Sequence, residues 1–119
     1  MNFERTTTIL SELPGIFGAA VINFDTKELI ATPSRNLLPI ENVIASCSEE
    51  LRYERNMLAD LECYDGVENM IMSTANHYYI HYVVPHFDKV VIYVVVRRDT
   101  ALPFILRTLE QAGDAMRNF

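Results

Sequence analysis

Seven consecutive apolar residues follow Lys89, running Val-Val-Ile-Tyr-Val-Val-Val through position 96, and six of them are β-branched. The run is too short to cross a bilayer, which takes roughly 20 residues as a helix. Its composition favours a strand. A strand apolar on both faces has to be covered on both, so it belongs mid-sheet with other elements on either side.

Two strands precede this run. Residues 67–74 and 77–84 read as a third and a fourth strand, joined by an Ala75-Asn76 turn and followed by a turn at Pro85-His86-Phe87-Asp88. Gly66 opens the third. Nearer the start, residues 18–24 and 28–32 read as a hairpin around Asp25-Thr26-Lys27, and the small residues at the head of its first strand suit close approach by a helix. Placing the 90–96 strand beside the first gives a five-stranded antiparallel sheet in the order 2-1-5-4-3, with residues 28–32 and 67–74 as its outer strands.

Three helices complete the pattern. Phe3, Thr6, Ile9, Leu10 and Leu13 recur at helical spacing, so residues 2–13 form a short amphipathic helix stopped by Pro14-Gly15. After a loop from Pro33 to Pro39, residues 40–61 are the longest periodic segment. Ile40, Ile44, Cys47, Leu51, Leu58 and Leu61 make one stripe. Val43, Tyr53, Met57 and Tyr64 make a second, interrupted at Ser46 and Glu50. Two stripes on one helix imply two contacts, one with its own sheet and one with something else. Asp99 or Thr100 caps the last helix, Pro103 sits in its first turn, and Leu102, Ile105, Leu106, Leu109, Ala112 and Met116 form its buried face. The class is α+β, in the order α-β-β-α-β-β-β-α, read as one domain over residues 1–119.

The net charge is −6, a poor balance for nucleic acid or anionic lipid. From Glu41 to Asp65 seven acids face two bases, Arg52 and Arg55, so this segment carries −5 of that charge. The N-terminus lacks the apolar stretch of a signal peptide. Cys47 and Cys63, if on one helix, stand about 24 Å apart, beyond the ~7 Å limit for a disulfide. Reduced thiols and a cytoplasmic location are the simplest expectation.

Catalytic patterns are weak. His77 and His81 share a strand face, but four strand residues separate their backbones by ~13 Å, too far for one zinc. His86 falls in a turn, and neither thiol sits in a C-x-x-C pattern. Cys47 lies on the buried stripe and packs as a small hydrophobe. Gly15 and Gly18 precede a strand, the reverse of the phosphate-loop order. Arg97-Arg98 either contacts a partner or caps a sheet end. No metal, cofactor or catalytic residue is expected.

Leu13-Pro-Gly-Ile-Phe-Gly-Ala-Ala-Val-Ile22, together with the element order, the long central helix and the closing amphipathic helix, resembles the roadblock (dynein light chain) domain family. The likeness spans nearly the whole chain. One departure is the first hairpin, where the family commonly has Asp-Gly and this chain reads Asp25-Thr26-Lys27. The resemblance implies a non-enzymatic dimer whose central helices pair and whose third strands join into one sheet. It also implies a scaffold or regulator of Ras-like small GTPases, or a dynein-associated or lysosomal scaffold subunit.

The residues agree on one point. The third strand is apolar on both faces and lacks lysine and proline, so an exposed edge there invites a second chain. The interface expected on these grounds comprises Val43, Tyr53 and Met57 with Met70, Ile71 and Met72, and its acids lie at the rim or pair with Arg52 and Arg55 across the two-fold axis. A homodimer is the first expected partner and a small GTPase the second, without nucleic acid or membrane insertion. Two other readings stay open. One is a small-molecule sensor of PAS or profilin type, with a cavity lined by Met70, Tyr78, Tyr79 and Tyr82. The other is an enzyme using His81 with an acidic neighbour.

Overall fold

The 90–96 run forms the middle of the sheet. The computed structural model describes residues 3–87 and 89–117. Asn2 and Asp88, placed above in the first helix and in a turn, lie outside them. The sheet contains β1 (Ile16–Asn23), β2 (Glu28–Ala31), β3 (Asn69–Ser73), β4 (His77–Val83) and β5 (Val90–Arg97). Its order is β2-β1-β5-β4-β3, antiparallel throughout. Helices α1 (Glu4–Ser11) and α3 (Leu102–Asp114) cover one face, and α2 (Ile40–Asp60) crosses the other.

Alternation along β5 shows why it is apolar on both sides. Val90, Ile92, Val94 and Val96 pack with Leu10, Ile105 and Leu109 of α1 and α3, whereas Val91 packs with Cys47 and Leu51 of α2. β1 alternates likewise, Ala19 and Val21 toward the helix pair and Ala20 and Ile22 toward α2. Fully burying such a Val, Ile or Leu contributes about 1.5–3 kcal/mol. The Thr6 hydroxyl, buried, ties α1 to α3 by donating to the Ala112 carbonyl at 2.9 Å.

Several expected boundaries move. β1 begins at Ile16, directly after Gly15 at φ +78, and a register shift against β5 falls between Ile16 and Gly18. The small residue Gly18 admits a loop, not a helix: a Cβ there would lie 2.4 Å from Asn36 Oδ1 and 2.5 Å from Leu38 Cγ. Gly18→Ala is therefore expected to lower stability by about 2 kcal/mol, the cost of overpacking, measured by urea denaturation. β3 starts at Asn69, two residues later than expected, because Glu62 (φ 59) and Gly66 (φ 87) bend the approach and turn Val67 inward against the α2-side core. Val83 N–H still donates to Glu68 O at 3.0 Å.

The last helix is not capped by Asp99 or Thr100. Its N-cap is Ala101, without a side-chain hydrogen bond, and the Thr100 hydroxyl donates instead to Pro14 O at 2.7 Å. Pro103 occupies the first turn as expected. Arg98 donates to Thr74 O at 2.9 Å and lies over the Tyr78 ring, while Arg97 pairs with Asp99, so both arginines close the sheet end.

Candidate functional site

Only Cys47, Ser48 and Leu51 are buried on the 21-residue helix α2. Its first stripe therefore seats the middle of the helix on the sheet, with Ile40 and Ile44 packed at the margin. Leu61, expected at the end of that stripe, is 64 % exposed, because it is the residue that terminates the helix beyond the sheet contact. The second stripe points outward: Tyr53, Met57 and Tyr64 are exposed. Across a groove lies β3, whose Ile71 and Met72 are exposed too. These residues make up six of the ten exposed large hydrophobics among the described residues, so exposed apolar surface concentrates on this corner.

The eight expected interface residues do not all share this surface. Tyr53, Met70, Ile71 and Met72 line the groove between α2 and the β3–β4 pair, about 500 Å³ in volume. Met70 is half-buried against the α2-side core, and so is Val43. Ile71 is the pair partner of Ile80, which packs on the opposite, α1–α3 side of the sheet. Arg52 and Arg55 lie on the other flank of α2, toward the β1–β2 hairpin. Arg52 bonds Glu49 one turn back on its own helix, and the Arg55 guanidinium sits 5.3 Å above the Phe24 ring. Among the described residues β3 is hydrogen-bonded on one side only, to β4.

The groove floor holds a pair that the sequence reading did not join. His81, 7 % exposed, packs its ring 4.8 Å from Tyr93, and its Nε2 stands 3.2 Å from the Glu50 carboxylate. Glu50 interrupts the second stripe for this reason: it faces an imidazole on β4. Burial pushes His81 down to about 4, so at neutral pH the ring is uncharged, with Nε2 beside the Glu50 carboxylate. Burial, and then repulsion from Glu54, raise the Glu50 carboxyl above the ordinary range. Burial, reinforced by Glu50, pushes the Cys47 thiol up to about 12. That thiol stays protonated at neutral pH, and Cys63 is exposed and free.

The cavity imagined for a sensor divides in two. Tyr78 and Tyr82 pack on the α1–α3 side, whereas Tyr79 and Met70 line the α2-side groove. Neighbouring strand residues point to opposite faces, so no single cavity joins all four. Among the described residues no group of three or more His, Cys, Asp and Glu is placed to hold a metal ion. No described helix is long and apolar enough to cross a membrane.

A five-stranded antiparallel sheet with one long helix on one face and a helix pair on the other has known counterparts. The Roadblock/LC7 domain from Streptomyces avermitilis superposes with a TM-score of 0.83, covering 98 % of this chain and 96 % of that one, at 10 % identity. The chain has the Roadblock/LC7 fold. Myxococcus xanthus MglB matches with a TM-score of 0.81 over 98 % of this chain and 94 % of that one, at 12 % identity. An MglB described with a tetrameric arrangement matches with a TM-score of 0.78 over 96 % and 86 %, at 14 % identity. No family model matches the sequence and no curated protein matches it. The Roadblock/LC7 likeness is thus carried by backbone geometry, with the hairpin departure now explained. Lys27 takes a left-handed φ of 62, and the Asn23 side chain accepts from the Asp25 and Thr26 N–H groups to hold the turn without a glycine.

Proposed function

We propose that the chain is a non-enzymatic interaction module that forms a homodimer and regulates or scaffolds a Ras-like small GTPase in the cytoplasm. The observation that carries this reading is the corner where apolar side chains of α2 and the unpaired edge of β3 are exposed together. An open apolar edge of this kind is a template for another chain. A second copy laid across a two-fold axis would cover it twice with the same residues. Tyr53, Met57, Met70, Ile71 and Met72 form the centre of the proposed contact and Val43 its margin, while Arg52 and Arg55, on the hairpin flank of α2, stand outside it. The described tetrameric arrangement of one structural neighbour supports assembly as a use of this fold. The GTPase partner rests on the roadblock resemblance of the sequence together with the MglB-like fold.

His81 gives little support to a catalytic reading. An imidazole held neutral and closed off by burial is a weak general base. Sedimentation at micromolar concentrations tests the proposal, with a two-chain mass expected. A one-chain mass at high micromolar concentration would sink it. With a dimer in hand, pull-down by a Ras-like GTPase loaded with GDP or a GTP analogue should show nucleotide-dependent retention.

A further inference from the structure

The flank of α2 that carries Arg52 and Arg55 forms a second, smaller pocket against the β1–β2 hairpin, about 320 Å³ in volume. Ser48, Arg52, Arg55 and Asn56 line it from the helix, and Asp25 and Lys27 from the turn. The four helix residues follow spacings of four, three and one, which places them on one face. Arg52 and Arg55 are the only two bases in the acid-rich 41–65 segment, and both come to this place. Lys27, held at a left-handed φ in the hairpin turn, brings a third cation to the same pocket.

Ser48 supplies an independent sign. It is 4 % exposed, and its hydroxyl has no hydrogen-bond partner among the described residues. A serine inside a helix ordinarily donates to the carbonyl one turn earlier, and Ser48 does not. A buried hydroxyl left without a partner is destabilising, and an acceptor in the pocket would offset that. The polar groups around the pocket are mostly donors: one hydroxyl, one amide NH2, two guanidinium groups and an ammonium. Asp25 is the one carboxylate in the lining, while Glu49 beside it bonds Arg52 and lies 3.9 Å from Lys27. The cations outnumber these two acids.

We propose that this pocket binds the phosphate group of a small anionic molecule, with Ser48 and Asn56 donating to its oxygens and Arg52, Arg55 and Lys27 neutralising its charge. Planar guanidinium groups suit bidentate contact with phosphate oxygens. The volume lies at the low end for small-molecule sites, which run from roughly 300 Å³, so the occupant is a phosphate ion or a compact phosphate monoester.

Calorimetric titration of the intact chain at low salt tests the site, with inorganic phosphate and O-phosphoserine as two arms and acetate as the control. Saturable binding of phosphate is expected at about millimolar Kd or tighter, which corresponds to roughly 4 kcal/mol. Tighter binding of phosphoserine would identify a monoester as the occupant, and equal binding the free ion. Ser48→Ala should weaken either by about fivefold or more, and Arg55→Gln by about tenfold. Ser48→Ala removes a buried hydroxyl without a partner, so its melting temperature should hold or rise and a loss of binding is not a loss of fold. Unsaturable binding, equal binding of acetate, or a Ser48→Ala variant that binds as wild type does would overturn the proposal. The pocket lies on the opposite flank of α2 from the β3 groove. Ser48→Ala should therefore leave any dimer intact, and a failure here is distinguishable from a failure of the dimer reading.

Discussion

Met72→Asp is expected to leave a folded monomer. Met72 is 58 % exposed on the open edge strand, beside its pair partner Tyr79, and it lines the groove under Tyr53. In the lone subunit the new carboxylate stays in water, so folding stability should change by no more than about 0.5 kcal/mol, as for most surface substitutions. In the proposed dimer the same carboxylate is buried. A two-fold axis buries it twice, beside Glu49, Glu50 and Glu54, which already line the groove. An unpaired buried charge costs several kcal/mol. The dimer Kd should rise by at least about 100-fold, or roughly 2.7 kcal/mol. Sedimentation velocity on both proteins, with urea denaturation as the control on folding, gives the answer. A variant that dimerises as tightly as wild type would remove β3 from the interface.

The sheet was legible in the sequence because its strands differ in pattern. β5 is a continuous β-branched run, β4 alternates, and the β1–β2 hairpin is short and bounded by turn residues. Strand order followed from the need to cover β5 on both faces. What escaped were the features set by long-range geometry. The β3 start depends on two left-handed residues, Glu62 and Gly66, whose effect on Val67 no local pattern announces. Small residues at the head of β1 do mark a close approach, but at Gly18 the approaching group is the 33–39 loop, which has no periodicity of its own. Thr100 does not cap the last helix because its hydroxyl has an acceptor in Pro14 O, 86 residues away in the chain. At the candidate site, Tyr53, Met57 and Tyr64 of the second stripe are exposed, whereas its first residue, Val43, packs half-buried against the core. The helical spacing also placed Arg52 and Arg55 off that stripe, and this could have warned that they face the hairpin. Glu50 looked like an interruption only because its partner, His81, lies on another strand.

That pair gives the protein a pH dependence whose sign can be worked out. The His81 imidazole falls from an ordinary 6.5 to about 4 in the folded chain because burial penalises its charged form. The unfolded chain therefore binds this proton more readily than the folded one. Above pH 6.5 both states are neutral at this residue and its contribution to stability is fully present. Between pH 6.5 and about 4 the unfolded state takes up the proton alone, and stability falls by up to about 1.4 kcal/mol per pH unit. The accumulated loss approaches about 3 kcal/mol at the acid end of the window. Glu50 acts in the opposite sense. Its carboxyl is raised in the folded state, so it contributes stability at low pH that is lost as pH rises through its folded value. Tyr79 on β4, Tyr93 on β5 and Met70 on β3 are the other groups around the ring, and burial raises the Tyr93 hydroxyl to about 12, far outside this range. The difference between wild type and His81→Gln isolates the imidazole, since glutamine keeps a polar group near Glu50 and does not titrate. Unfolding free energies at matched protein concentration from pH 4 to pH 7.5 should converge toward neutral pH on a constant offset. They should separate progressively on acidification, with the wild type losing stability faster. Parallel curves would mean that the His81 site is open enough to hydrate the imidazolium, and the groove floor would then be wetter than its packing against Tyr93 indicates.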